Sequence, residues 1–141
     1  MECIQYKKGY KYQLVKQYTV KINIVPADHI HTDYIVLTRE GKLTIQKGYA
    51  WDGPSGPTID TLNFMRGSLV HDALYQLMRN NHLDKDEHRD DADRLLQKMC
   101  KQDGMMAGRA WWVYLGVRFG GDTSADPASK KPVICAPRNS S

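Results

Sequence analysis

The sequence predicts an α+β fold, an N-terminal antiparallel β-sheet followed by a three-helix C-terminal part. Three observations carry that expectation. Apolar and polar residues alternate with period two through the first third of the chain. A cluster of glycine and proline then interrupts all regular pattern, and beyond it apolar residues recur at three- and four-residue spacing. The expected layout is one α+β domain over residues 1–121, with sheet over about 1–50, a loop over 51–61 and helices over about 62–120, followed by a disordered tail at 122–141 rich in Ser, Pro, Ala, Asp and Lys.

The strand signal is clearest in Tyr18-Thr19-Val20-Lys21-Ile22-Asn23-Ile24 and Tyr34-Ile35-Val36-Leu37-Thr38. Between Leu37 and Leu43 the stretch Thr38-Arg39-Glu40-Gly41-Lys42 reads as a hairpin turn, with Gly41 where a positive φ is needed. Next, Trp51-Asp52-Gly53-Pro54-Ser55-Gly56-Pro57-Thr58 excludes helix and strand. Such a shaped loop either holds a ligand or simply crosses from sheet to helices, and composition does not separate the two.

A first helix is expected over Leu62 to Arg79, burying Phe64, Met65, Leu69, Val70, Leu74, Leu77 and Met78. Asn80-Asn81-His82 breaks it. A second helix is expected over about Asp84 to Lys101, with Asp84 as N-cap, Ala92, Leu95, Leu96 and Met99 on its apolar face, and Gly104 ending it. A third is expected over Met105 to Phe119, with Ala110, Trp111, Tyr114, Leu115 and Val117 on its buried side and Gly120-Gly121 as the stop.

Composition excludes several classes. No run approaches the roughly 18 to 20 apolar residues that cross a bilayer. The N-terminus has no secretory signal pattern, and the three cysteines, Cys3, Cys100 and Cys135, form no CxxC pair or disulfide framework, so a reducing cytoplasm is the expected compartment. The net charge of +4 is spread along the chain and gives no specific nucleic-acid signal.

The chemistry-bearing residues sit on the expected hairpin. His71 and Asp93 are equidistant from His82, so two antiparallel helices turning there set them at one height, where they can face each other. An Asp accepting from one imidazole nitrogen fixes the tautomer and leaves the other nitrogen to take a proton from water. Tyr75, one turn after His71, can bond an acidic partner. Asp72 is rotated about 100° from His71 and can point toward a neighbouring loop. A carboxylate beside a glycine-rich turn suits a hard cation, with carbonyls of the 51–56 loop as further ligands, and such a cation would stabilise an oxyanion. The alternative is a His–Asp pair that merely satisfies itself inside a packed helical pair. Ser55 is not in a GxSxG setting, so a nucleophile elbow is not expected. A His-Asp metal phosphohydrolase would need further histidines on neighbouring helices, and His29, His31, His82 and His88 are not so placed.

His71-Asp72-Ala73-Leu74-Tyr75 followed by Ala92-Asp93-Arg94-Leu95-Leu96 resembles the catalytic helix pair of phospholipase A2 enzymes, most closely the disulfide-free version in parvovirus capsid proteins. The resemblance implies His71 as general base, Asp93 as its partner, Asp72 as a Ca2+ ligand and the carbonyls of Trp51, Gly53 and Ser55 as loop ligands. Two departures stand out: Leu69-Val70 replace the paired cysteines of the secreted enzymes, and the loop carries Asp52 and two prolines, making Asp52 an extra ligand or a rival partner for His71.

The wider pattern adds Trp51-Asp52-Gly53-Pro54-Ser55, Arg109-Ala110-Trp111-Trp112-Val113-Tyr114 and Val117-Arg118-Phe119-Gly120 to the hairpin residues. From about Tyr34 to Gly121 it resembles a family of bacteriophages and prophages called domain of unknown function 1353. That resemblance implies phage origin, action in the host bacterial cytoplasm or association with the virion, and no established activity. Two functions follow as expectations. One is a calcium-dependent lipid or ester hydrolase acting on phospholipid or another host molecule. The other is a non-catalytic accessory protein that meets phage structural proteins or binds a host factor.

Overall fold

The computed structural model describes Ile4 and residues 6–7, 12–51 and 62–120. Among the described residues seven short strands precede three helices, an α+β fold as the hydrophobic periods require. Residues 52–61 and 121–141, on which most of the expected 51–61 loop and all of the expected 122–141 tail fall, lie outside the described residues, as do Cys3 and Cys135.

The strands form two antiparallel sheets. In the first, β1 (Tyr6–Lys7), β2 (Tyr12–Leu14) and β7 (Ala50–Trp51) pair in the order β1-β2-β7. In the second, β3 (Tyr18–Lys21), β4 (Ile30–His31), β5 (Ile35–Leu37) and β6 (Lys42–Ile45) pair in the order β3-β6-β5-β4. Registers of Tyr18 with Ile45 and of Leu37 with Leu43 put Tyr18, Ile35, Leu37, Leu43 and Ile45 on one buried face. Thr19 and Thr44 pair on the other face, hydroxyl to hydroxyl at 3.3 Å.

The β5–β6 hairpin turns at Gly41, whose φ is +90°. A Cβ there would stand 2.4 Å from the Ile22 carbonyl oxygen, so both conformation and space demand glycine. The same contact explains why β3 ends at Lys21, short of Ile24. Ile22 N–H bonds the Gly41 carbonyl at 2.8 Å at the turn itself, and the chain then leaves the ladder with Ile22 and Ile24 still buried.

The helices are α1 (Leu62–Arg79), α2 (Lys85–Gln102) and α3 (Ala107–Gly120). All seven apolar α1 residues expected in the core are buried. Asp84 caps α2, its Oδ1 accepting from the Asp86 N–H at 2.9 Å, and Gly104, at φ +102°, follows the last turn. The expected inner face of α3 needs correction: Val113 is buried with Ala110 and Tyr114, whereas Trp111 is 50% exposed. Apolar residues occur on every side of α3, with Arg109 and Arg118 on opposite sides, so periodicity does not choose between its faces.

The apolar interior forms two clusters. Both sheets, α1 and one side of α2 enclose the larger, while Phe64, Leu96, Cys100, Met105, Ala110 and Val113 form the smaller under α3. Buried Arg66 ties these layers together. Its guanidinium donates to both Asp103 oxygens at 3.0–3.2 Å, to the Tyr18 hydroxyl at 2.9 Å and to Gln102 Oε1 at 3.1 Å. Among the described residues no helix is long and apolar enough to cross a membrane.

Candidate functional site

The site is built on the α1–α2 hairpin. Asn81, at φ +64°, supplies the left-handed residue that ends α1, and the N–H groups of His82 and Leu83 both bond the Leu77 carbonyl. One turn before His71, Gly67 faces α2: a Cβ there would meet Leu96 Cδ1 at 3.0 Å and Cys100 Sγ at 3.3 Å. The missing side chain lets the helices approach closely one turn away from the level where His71 and Asp93 meet.

His71 Nε2 lies 2.7 Å from Asp93 Oδ1, and the Tyr75 hydroxyl donates to the same oxygen at 2.6 Å. Arg118 from α3 donates to Asp93 Oδ2 at 3.2 Å. Asp93 is 0% exposed, so this carboxylate depends on donors of this kind in place of water. An ionised carboxylate only accepts, so Nε2 carries the imidazole proton and neutral His71 keeps its lone pair on Nδ1. The His71 and Tyr75 rings stand 4.2 Å apart, which holds the imidazole from one side.

The Asp72 carboxylate does not turn away from His71 altogether. Its Oδ1 is 3.9 Å from His71 Nδ1, within ion-pair reach and beyond a hydrogen bond. Burial by itself pushes the His71 pKa down, but the carboxylates of Asp72 and Asp93 outweigh it and hold the imidazole above its ordinary value. Tyr75 is pushed far above the usual phenol range by burial and by the Asp93 carboxylate, with nearby Arg89 acting in the opposite sense, so its hydroxyl remains a donor.

Trp51 ends β7, buried, with its indole N–H donating to Ser68 Oγ at 3.0 Å. Ser68 lies on α1 one turn before His71 and Asp72. Trp51 at the end of β7 therefore lies beside the face of α1 that carries the site. Asp52, Gly53 and Ser55 lie outside the described residues.

Two contributors were not expected from the sequence. Ser68 was within reach of helical spacing, being three residues before His71. Arg118 was not, because its contact with Asp93 depends on how α3 crosses α2. There Arg118 also lies 3.5 Å from Asp90, which accepts from Arg94 at 2.8 Å and from the Tyr114 hydroxyl at 2.8 Å. The Asp90 carboxyl is held below its usual range, first by Arg94.

The family model "Protein of unknown function (DUF1353)" matches residues 29–117. The chain belongs to this family. The matched span runs from the second sheet into α3, covers the positions of His71, Asp72, Tyr75 and Asp93, and ends one residue before Arg118. No curated protein and no solved structure matches the chain.

Proposed function

We propose that this DUF1353 protein is a phage- or prophage-encoded hydrolase in which His71 activates water against an ester, with phospholipid as the substrate class and Ca2+ as the electrophile. The observation that carries the reading is the buried His71–Asp93 pair at 2.7 Å, with Tyr75 and Arg118 holding the carboxylate. The proton on Nε2 stays with Asp93, and Nδ1 accepts the proton that water loses as it attacks. The imidazolium formed is stabilised by Asp93 behind it and by Asp72 beside it, both ionised acceptors.

Nδ1 and Asp72 Oδ1 are two acceptors 3.9 Å apart, a spacing that a water molecule bridges by donating to both. Asp72 supplies the hard oxygen that calcium prefers, and backbone carbonyls of Trp51, Gly53 and Ser55 would complete the set. Among the described residues no three His, Cys, Asp or Glu side chains converge as a metal cluster, so the proposed site would rely on one carboxylate and backbone oxygens. A bound cation would polarise the ester carbonyl and stabilise the oxyanion.

The test is fatty-acid release from phospholipid vesicles by the full chain, with calcium and with a chelator. His71→Gln is expected to lower the rate by about 10²–10⁴-fold, the usual worth of a general base. No release by the native chain, or release unchanged in His71→Gln, removes the reading.

A second reading has its own observation. His71 is 7% exposed and Asp93 has a partner for each oxygen, as expected of a buried brace in a non-catalytic accessory protein. That reading predicts lower stability in His71→Ala and no turnover on any ester.

A further inference from the structure

Strand β3 lies at one edge of its sheet, and where it ends it meets the last turns of α2 across a cavity of about 80 Å³. Leu95, Lys98, Met99 and Gln102 fall at i, i+3, i+4 and i+7 of α2, so burial of Leu95 and Met99 carries Lys98 and Gln102 to this cavity. Lys21 and Asn23 reach it from the strand end and Arg66 from α1. Among the described residues that line it there is no acidic one.

The donors of this lining are not all used. A guanidinium has five N–H groups. In Arg66, Nε and both Nη2 hydrogens go to Asp103 and Gln102 and one Nη1 hydrogen goes to Tyr18, so the second Nη1 hydrogen has no acceptor among the described residues, although Arg66 is only 7% exposed. Gln102 accepts from Arg66 through Oε1, which leaves its amide N–H groups to donate. Lys21 and Lys98 are exposed, and among the described residues neither ammonium pairs with a carboxylate. Lys21 also stands opposite Lys42 in the β3–β6 ladder, a like-charge pair that weakens the sheet unless an anion offsets it.

We infer that this cavity binds the phosphoryl group of a small phosphate compound, with oxygens that accept from the spare Arg66 hydrogen, the Lys21 and Lys98 ammonium groups and the carboxamides of Asn23 and Gln102. Three cations against Asp103 leave two positive charges. That matches the roughly −1.5 to −2 of a phosphate monoester near pH 7 and exceeds the single charge of a carboxylate. A water takes up about 30 Å³, so the cavity has room for one compact oxyanion while any organic remainder stays outside. The site uses none of His71, Asp72 and Asp93, so it goes beyond the hydrolase reading and stands or falls apart from it.

The experiment is titration of the full chain with inorganic phosphate, glycerol phosphate or acetate at millimolar concentration and fixed ionic strength, followed by amide proton–nitrogen correlation spectra. Both phosphates are expected to shift the signals of Lys21, Asn23, Lys98 and Gln102 with saturation, and acetate to act at least tenfold more weakly. A Lys21→Gln, Lys98→Gln double variant, its fold checked by circular dichroism, is expected to bind phosphate about tenfold or more weakly, as the loss of a charge-assisted hydrogen bond implies. A Lys16→Gln, Lys47→Gln variant removes the same charge away from the cavity lining and is expected to bind like the native chain.

Tighter binding of glycerol phosphate than of inorganic phosphate assigns the site to a monoester, and the reverse order assigns it to the free ion; both support the inference. No saturable shift at these residues overturns it and leaves the cavity to water. Acetate binding as tightly as phosphate, an unchanged affinity in the double variant, or an equal loss in the Lys16→Gln, Lys47→Gln variant also overturns it, the last by reducing the effect to overall charge.

Discussion

Arg118 donates to Asp93 Oδ2 at 3.2 Å while His71 holds Oδ1 at 2.7 Å, so the third helix completes a carboxylate site begun by the first two. Asp93 has no access to water, and its three donors lose their shared acceptor together if it is replaced. Asp93→Ala is expected to lower unfolding stability by about 3–5 kcal/mol, the usual cost of breaking a buried ionic network by removing one partner. Urea unfolding measures it; a loss below 1 kcal/mol would contradict this account of the hairpin.

The pH dependence of stability has a definite sign. The folded His71 pKa lies above the ordinary 6.5 because Asp72 and Asp93 outweigh burial. Its contribution is therefore complete below pH 6.5 and declines as pH rises through the higher folded value. In chelator, the native urea midpoint should fall relative to that of His71→Gln as pH is raised from about 6 to 8. A difference that grows with pH instead would reverse the assignment.

Arg66 should prove as important to the fold as the hairpin pair, for it joins α1 to Tyr18 of the second sheet and to Asp103 at the end of α2. Arg66→Met leaves Asp103 without its bidentate partner and is expected to cost about 3 kcal/mol or more. Arg66→Lys should recover part of the loss at most, because an ammonium cannot reproduce the planar fork. Thermal unfolding of both variants checks the order.

Gly41→Ala should be among the most damaging small substitutions in the sheet. The new Cβ would lie 2.4 Å from the Ile22 carbonyl oxygen at a φ of +90°, so backbone must move. A loss of about 2 kcal/mol or more is expected from the left-handed conformation and the clash together. Gly104→Ala has the same sign of φ and no heavy atom within 4 Å of the new Cβ, and should cost less.

Cys100 should be chemically silent. Burial, aided by Asp103, pushes its thiol up to about 12, and it packs against Gly67 in the smaller apolar cluster. In a chain carrying Cys3→Ser and Cys135→Ser, Cys100 is expected to react with an aromatic disulfide reagent only after denaturation. Stoichiometric labelling within minutes under native conditions would show the α1–α3 packing to be looser than described.

Much of this was legible in the residues. Period-two alternation marked β3, β5 and β6, the three- and four-residue repeat placed α1 at its observed ends, and Asp84 announced the start of α2. The meeting of His71 with Asp93 followed from equal distance to one turn, because a helix rises by a fixed amount per residue. Tyr75 followed in turn, being four residues along the same face. These are regularities of local geometry, and local geometry is written in spacing.

Tertiary structure decided the rest. The division of the strands into two sheets, the clamp of Arg66 on Asp103, the arrival of Arg118 at Asp93 and the outward face of α3 all join residues that no helical or strand period relates. A helix such as α3, with apolar residues on every side, has no rotation fixed by its own pattern, so its packing on α2 chose which tryptophan and which arginine face where. The sequence alone determined the elements and one buried pair. The way three helices and two sheets exclude water from one another turned that pair into a network.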